Sequence, residues 1–164
     1  MKSFIFIFLF FFNINSVLAQ NRIESPKFNI ISFQIGKQGI LFNINYDHKF
    51  QNKNWGYKVE TGTSFTKDFR VNTFAFGNYI LKGQNTNFLE LGLDINYLYS
   101  YISQDDVSGS GLTFFYDDYN TLYPNLNIGY RKYYKRGMFR LGFAPGYLRD
   151  RFLYGGYVSI GIKL

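Results

Sequence analysis

The sequence predicts an all-β fold, an eight-stranded antiparallel up-and-down transmembrane β-barrel that follows a cleaved signal peptide. The first observation is the alternation from Leu89 to Tyr101, where odd-numbered residues are aliphatic or tyrosine and even-numbered residues, except Leu98, are polar or glycine. A period of two is the side-chain repeat of a β-strand. The second observation is that the pattern recurs about eight times, and the third is that glycines fall on the polar face. An apolar face opposite a polar one is typical of strands that cross a bilayer.

Residues 1–19 are predicted to be a signal peptide. Lys2 supplies a positive start, Phe4 to Phe12 form an unbroken apolar run of nine residues, and Val17 to Ala19 provide a small-residue cleavage site. The alternative is a retained membrane helix, which needs about 20 apolar residues. Removal of the signal leaves residues 20–164 as one barrel domain. The chain has no cysteine, which excludes a disulfide framework and an anchor through an acylated cysteine.

Composition and charge narrow the class of partner. Aromatic residues make up 22% of the chain and prolines number only three, which favours a packed domain over a disordered one. The formal net charge is +7. Because the Lys and Arg residues are dispersed along the predicted strands of an exported chain, this charge favours anionic lipid headgroups over nucleic acid.

The predicted strands are separated by short runs of turn-forming residues. They span Asn29 to Ile35, Ile40 to Phe50, Trp55 to Phe65, Val71 to Leu81, Phe88 to Tyr101, Thr121 to Tyr134, Met138 to Ala144 and Gly155 to Leu164. The second, fourth and sixth connections are short, whereas Ile102 to Asn120 and Pro145 to Tyr154 are the two longest. Short periplasmic turns and longer outer loops are expected of bacterial barrels, so both termini are predicted to be periplasmic.

The alternation alone also fits a soluble lipocalin-like barrel, with the apolar face inside. Two features favour the opposite assignment. Bulky residues occupy nearly all of the apolar face, and an eight-stranded interior is barely wide enough for ordinary side chains. Glycines share the polar face, where they relieve crowding in a narrow lumen; they are Gly62, Gly77, Gly92, Gly129, Gly142 and Gly161.

An inward polar face makes the strand charges a lumen network of both signs. The predicted members are Lys58, Glu60, Glu90, Asp94, Arg131, Arg140 and Lys163, with Asp47 and Lys49 nearer the periplasmic end. Such a network can form an ion pathway or a catalytic carboxylate pair, or it can fill the barrel as a structural plug of paired charges. Eight strands leave no aqueous channel, which favours the plug and argues against a porin.

Aromatic residues near the strand ends predict two girdles at the membrane boundaries. The outer girdle is Tyr97, Tyr99 and Tyr101, and the periplasmic girdle is Tyr46, Phe50, Trp55, Tyr57, Tyr130 and Tyr134. The alternative is a chain that simply uses many aromatic residues.

The longest connection is the predicted interaction loop. Its acidic and aromatic residues are Asp105, Asp106, Phe114, Phe115, Tyr116, Asp117, Asp118 and Tyr119. The acidic groups could bind Ca²⁺, although their order differs from an EF-hand loop, and exposed aromatics could form an adhesive surface. A membrane-distal hairpin that packs these aromatics is the alternative. Arg149 and Arg151 could contact lipopolysaccharide phosphates or pair with these aspartates.

With the signal, the eight alternating strands and the final strand Gly156 to Leu164, the chain resembles the small OmpA/OmpX-type outer-membrane barrels. Segments Ile31 to Gly36, Gly39 to Phe50 and Asn87 to Leu93 resemble the "outer membrane protein beta-barrel domain" group of Gram-negative bacteria. The resemblance implies a monomer in the bacterial outer membrane, lipid and lipopolysaccharide as partners, and insertion by the barrel assembly machinery. The family's terminal aromatic residue is replaced here by Leu164.

No residue is predicted to be catalytic, and neither a cofactor nor a metal is expected. The only histidine, His48, is predicted to face lipid near the periplasmic boundary. Lipid A-deacylating barrels use an outward histidine with a nearby serine, but Lys49 and Phe50 follow His48, so that spacing is absent. We therefore expect a non-enzymatic barrel with a structural or surface-interaction role; the alternatives are a lipid A-modifying barrel enzyme and an exported lipocalin-like binder.

Overall fold

The computed structural model describes residues 27–37, 41–65, 69–102, 119–148 and 151–164. The predicted signal peptide and its cleavage site lie outside the described residues. The described part of the chain is all-β and contains no helix that is long and apolar enough to cross a membrane.

Ten strands form, and each follows the period-two pattern of the sequence. They are β1 (Phe28–Gly36), β2 (Phe42–Lys49), β3 (Trp55–Phe65), β4 (Phe69–Gln84), β5 (Asn87–Ile102), β6 (Tyr119–Tyr133), β7 (Gly137–Phe143), β8 (Gly146–Leu148), β9 (Arg151–Leu153) and β10 (Gly156–Lys163). The third strand has the predicted bounds. The fourth and fifth are longer than predicted at both ends.

The strands close into a barrel. Consecutive strands from β1 to β6 pair antiparallel, β6 pairs with β7, β7 with β10, and β10 returns to β1. The closing register places Ile30 opposite Lys163 and Gly36 opposite Tyr157. Closure removes the exposed sheet edges that an open sheet would present.

The connection predicted from Pro145 to Tyr154 is corrected by the structure, because it contains β8 and β9. On β6, Ile128 pairs with Phe143 of β7, and Asn125 pairs with Gly146 of β8 in the same register. Strand β8 therefore continues β7 beyond a break at Ala144 and Pro145. In the same way β9 leads into β10. Proline has no N–H for the ladder, which explains the break. Counted by register, the barrel therefore has the predicted eight strands.

The two ends of the barrel differ. We call the end with the short β2–β3, β4–β5 and β6–β7 turns and residues 27 and 164 the turn end. The opposite end, where β1, β3 and β5 end and β2, β4 and β6 begin, is the loop end.

The apolar face points outward, which confirms the predicted assignment and contradicts the lipocalin-like alternative. On β10, Ile160 and Ile162 are 67% and 68% exposed, while the preceding residue Ser159 is buried. The outward apolar band runs around the barrel and includes Ile31, Phe33, Ile44, Phe74, Phe76, Leu91, Leu93, Ile95, Leu126, Ile128, Leu141, Val158 and Ile160. This is the surface expected of a barrel surrounded by lipid.

Aromatic residues flank this band. At the turn end Phe50 and Trp55 lie in contact with ring centroids 4.3 Å apart, and Tyr130 and Tyr134 are exposed. At the loop end Tyr97 and Tyr99 are exposed on β5. The β8–β9 hairpin and the residue after it add three exposed rings that were not predicted as girdle members: Tyr147, Phe152 and Tyr154.

Candidate functional site

The lumen is the candidate site, and it has three layers. An apolar cluster closes the turn end; its members are Ile30, Tyr79, Leu81, Phe88, Tyr133 and Met138, with Phe28 packed against them. A second cluster lies at the loop end and consists of Val71, Leu98, Tyr123, Leu148 and Leu153. The charged side chains lie between these two clusters. Leu98, the exception to the alternation of β5, is therefore a member of the loop-end cluster.

The first group of lumen charges, which we call the lysine quartet, contains Lys37, Lys58, Glu60 and Asp94. Lys37 Nζ donates to Glu60 Oε2 at 2.7 Å and to Asp94 Oδ2 at 2.9 Å. Lys58 Nζ lies 3.0 Å from Asp94 Oδ2 and 4.0 Å from Glu60 Oε2. Asn127 donates to Asp94 Oδ2 at 2.7 Å. Each acid is thus shared by both lysines.

The second group, the arginine quartet, contains Arg131, Arg140, Asp47 and Glu90. Arg131 Nε donates to Glu90 Oε2 at 2.6 Å, and Arg131 Nη2 donates to Asp47 Oδ1 at 3.0 Å. Arg140 Nη1 lies 3.6 Å from Glu90 Oε1 and 3.8 Å from Asp47 Oδ1. Arg140 Nη2 also donates to Gln34 at 2.5 Å. This quartet again joins two cations to two acids.

Aromatic rings cover the two arginines. The guanidinium carbon of Arg131 lies 4.2 Å from the centroid of the Tyr79 ring, and that of Arg140 lies 5.2 Å from the Tyr157 ring. A planar guanidinium favours the face of an aromatic ring. Tyr79 of the turn-end cluster therefore packs on Arg131, and Tyr157 of β10 packs on Arg140.

Asn45 links the two quartets. The hydrogen-bonding pattern orients its amide so that the nitrogen donates to Glu60 Oε2 at 3.0 Å and the oxygen accepts from Arg140 Nη2 at 3.1 Å. Orienting an amide from its network in this way is the usual basis for assigning its two ends. The eight charges therefore form one connected network. Nearer the loop end, Asn96 donates to Asn125.

Each quartet is formally neutral, with two cations and two carboxylates, and all eight side chains are at most 3% exposed. A buried charge is costly unless it is paired and hydrogen-bonded. Every charge is paired within its quartet, and most of the polar atoms are hydrogen-bonded. Five atoms have no hydrogen-bond partner among the described residues: Asp47 Oδ2, Glu90 Oε1, Asp94 Oδ1, Arg140 Nε and Arg140 Nη1. The arrangement suits a structural plug better than a pathway along which an ion has to move.

The structure brings six of the seven predicted lumen residues together: Lys58, Glu60, Glu90, Asp94, Arg131 and Arg140. Lys163 lies outside both quartets at the turn end. Its ammonium group donates to the Tyr134 carbonyl at 2.7 Å and lies 4.9 Å from the centroid of the Phe28 ring. The reason is that β10 carries Lys163 past the turn-end cluster, beyond the reach of the lumen acids.

Lys37 is the functional residue that the sequence analysis missed. It follows β1 in a glycine-rich connection, so period two does not place it on either face. Its backbone φ of 103° turns the chain so that the side chain enters the lumen. The only signal in the sequence was a basic residue directly after a strand.

The interaction loop lies almost wholly outside the described residues, and so does Arg149. Two ends of the predicted loop are corrected, because Ile102 belongs to β5 and Tyr119 to β6, where Tyr119 pairs with Ser100. The backbone of Arg151 lies in β9. The proposed roles of these residues stay predictions.

His48 lies on the outward face near the turn end. Its Nδ1 is 2.7 Å from Asn29 Oδ1, and its ring lies 5.0 Å from the Tyr57 ring and 4.8 Å from the Phe50 ring. These three neighbours include neither a serine nor a carboxylate. Among the described residues, no group of three or more His, Cys, Asp or Glu side chains is arranged to hold a metal ion.

Comparisons with known proteins identify the architecture. No protein-family model matches the chain, and no curated protein matches it either. Solved structures do match. The N-terminal β-barrel domain of Pseudomonas aeruginosa OprF has a TM-score of 0.66 and 8% identity, over 84% of this chain and 97% of that one.

Two further structures share the fold. Neisserial surface protein A has a TM-score of 0.51 and 9% identity, over 84% of this chain and 94% of that one. The Yersinia pestis outer membrane protein Ail has a TM-score of 0.52 and 12% identity, over 85% of this chain and all of that one. At these identities the likeness concerns the fold. The chain therefore has the closed eight-stranded antiparallel fold of the small outer-membrane β-barrels, as its resemblance to the OmpA/OmpX type predicts.

Proposed function

We propose that the protein is a non-enzymatic integral outer-membrane β-barrel protein of a Gram-negative bacterium, with a structural or surface-interaction role through its loop end. The observation that carries the proposal is the combination of an outward apolar band with a filled, charge-balanced lumen. In lipid the band is the stable surface, since every backbone polar group of a closed barrel is paired internally. In water the same band would be a large exposed apolar patch.

The lumen supports a structural role over transport. Apolar clusters lie on both sides of the charged layer, and the charges are engaged with one another. Eight-stranded barrels are filled by side chains, whereas open aqueous channels are found in barrels of about 16 strands. The network then contributes rigidity to a scaffold that presents loops.

The loop end supports a role in surface interaction. Strand β5 ends and β6 begins at this end, and the predicted interaction loop is the part of the sequence that joins them. Connecting segments on a rigid scaffold are common places for binding. One of the structures that share the fold is by its name a surface protein.

The orientation that fits this role has both termini in the periplasm and the loop end outside. Outer-membrane lipid and lipopolysaccharide surround the barrel in this proposal, the assembly machinery inserts it, and the inserted form is a monomer. Short turns at one end and longer connections at the other support this direction.

The experiment is expression in a Gram-negative host, followed by membrane fractionation and gel migration with and without boiling. We expect the protein in the outer-membrane fraction and a migration shift on boiling. When protease is added to intact cells, we expect it to cleave the protein only in the connections at the loop end. A soluble protein without a shift would contradict the proposal. Cleavage in the β4–β5 turn of intact cells would reverse the orientation.

A role in lipid A modification has a separate test. The described contacts of His48 are Asn29 and aromatic rings, which supports a non-catalytic histidine. We expect the lipid A mass spectrum of a strain lacking the protein to equal that of the parent. The non-enzymatic proposal would be contradicted if the deletion strain lost an acyl-chain modification of lipid A and a strain that carries His48→Ala lost the same modification.

A further inference from the structure

The described charges are segregated in space. All four described acidic side chains, Asp47, Glu60, Glu90 and Asp94, lie in the lumen, where four cations neutralise them. The eight other described cationic side chains all lie at the turn end: Lys27, Lys49, Lys53, Lys82, Lys132, Lys135, Arg136 and Lys163. We call these eight residues the basic collar.

The basic collar goes around the barrel. Lys27 precedes β1, Lys53 lies in the β2–β3 turn, Lys82 lies near the end of β4, and Lys135 and Arg136 form the β6–β7 turn. All five of these side chains are exposed. The described acidic side chains are all inside the lumen, so no described ion pair engages these five exposed cations at the rim of the turn end.

An outward groove of about 370 Å³ opens on the barrel wall beside the collar. Its lining side chains are Trp55, Asn78, Ile80, Leu91, Leu93 and Leu126. In the register Trp55, Ile80 and Leu91 form one row across three strands, and Asn78, Leu93 and Leu126 form the next. Asn78 is smaller than the Phe and Ile residues at the neighbouring outward positions of β4, which leaves the depression.

The groove and the collar meet at Lys82. Asn78, Ile80 and Lys82 occupy alternate positions of β4 and therefore point to the same outward face. Lys82 is exposed directly on the turn-end side of the groove. The aromatic girdle residue Trp55 forms the groove wall at this level, which places Lys82 at the boundary between apolar band and water.

We propose that this groove and Lys82 form a binding site for an anionic phospholipid, with one acyl chain in the groove and the phosphate on the Lys82 ammonium group. Charge complementarity selects the occupant, because the site joins an apolar slot of ligand size to the exposed ammonium group of Lys82, for which the structure describes no ion pair. Lys side chains suit this position, as their stems lie on apolar surface while the ammonium group reaches the headgroup. The inference rests on the proposed membrane location.

The single tryptophan of the chain makes the site directly measurable, because Trp55 lines the groove. Bromine atoms on an acyl chain quench the fluorescence of a tryptophan that they contact. The full mature protein is refolded into phosphatidylcholine vesicles that contain either dibrominated phosphatidylglycerol or dibrominated phosphatidylcholine at equal mole fraction. The ratio of the two quenching curves gives the preference for the anionic lipid.

We expect phosphatidylglycerol to quench Trp55 at a lower mole fraction than phosphatidylcholine, with a preference that falls as salt rises. Lys82→Gln is expected to lower the preference about five-fold, the effect of one cation near an anionic headgroup. Asn78→Phe fills the groove and is expected to abolish the preference. The matched control is Lys27→Gln, the same charge change in the collar three strands away around the barrel, which should leave the preference unchanged.

Equal quenching by the two brominated lipids in the wild-type protein would overturn the site. So would an equal loss in Lys27→Gln and Lys82→Gln, since that indicates diffuse attraction to the whole collar. In either case a retained migration shift on boiling leaves the proposed membrane function standing. Failure to insert into any vesicle, without a shift, overturns both.

Discussion

Lys37 donates a hydrogen bond to Glu60 Oε2 at 2.7 Å inside the lumen, although Lys37 belongs to the connection after β1 and not to a strand. The same ammonium group reaches Asp94 on β5. Lys37 has φ 103°, in the left-handed region that is costly for a residue with a side chain. The two ion pairs offset this backbone cost and anchor the first loop-end connection to the charged layer.

Replacement of Lys37 by methionine should destabilise the barrel. Lys37→Met leaves Glu60 and Asp94 sharing Lys58 alone, and a buried pair that loses one partner costs about 3 kcal/mol or more. The measurement is the free energy of unfolding by urea in phosphatidylcholine vesicles, followed by Trp55 fluorescence. The control is Lys53→Met in the exposed β2–β3 turn, expected within about 0.5 kcal/mol of the wild type. A Lys37→Met barrel as stable as the control would show that the lysine quartet contributes no stability.

The arginine quartet should behave as a coupled unit. Arg131→Met and Glu90→Gln each leave an unmatched buried charge, whereas the double variant removes both members of the 2.6 Å pair. We expect the double variant to lose less unfolding free energy than the sum of the single variants, with a coupling of about 1 to 3 kcal/mol. The measurement is a double-mutant cycle in the same vesicles. Strict additivity would contradict a direct Arg131–Glu90 interaction.

Gly77 should be intolerant of a side chain. A methyl group there would meet the Asp94 carboxylate and lie 2.8 Å from the Leu93 carbonyl oxygen, and Asp94 is held by the lysine quartet. Gly77→Ala is therefore expected to cost about 1 to 3 kcal/mol of unfolding free energy through overpacking.

Gly156 offers a matched control for this substitution. A methyl group at Gly156 would meet only the Gly142 carbonyl oxygen at 3.8 Å, an ordinary contact. Gly156→Ala should be neutral or slightly stabilising. Equal effects of Gly77→Ala and Gly156→Ala in urea unfolding would show that Asp94 is free to move aside.

Two substitutions on the outward face of β5 should reveal the depth of the bilayer. Ile95→Lys puts a charge near the middle of the apolar band, whereas Leu89→Lys puts it near the turn-end boundary. We expect losses of about 2 to 4 kcal/mol for Ile95→Lys and about 0 to 1 kcal/mol for Leu89→Lys. Unfolding in vesicles measures both. Equal small losses would mean that this face lies in water.

The local pattern determined which residues form strands and which face each side chain takes. Trp55 to Phe65 was predicted with its observed bounds, and the inward position of Glu90 and Asp94 followed from alternation along β5. Period two is a local property of the chain, and bulky outward residues cannot fit an eight-stranded interior. The sequence by itself therefore determined the barrel and its inside.

The tertiary structure alone decided which charges meet. Arg131 reaches Asp47 across 84 residues of sequence, and Arg140 reaches Gln34 across 106. These contacts depend on the register of strands around the closed barrel, which sets the height of each side chain along the axis. Lys163 lies beyond the lumen acids because alternation specifies a face but carries no information about height. Lys37 enters the lumen from outside any strand, where alternation does not specify a face either.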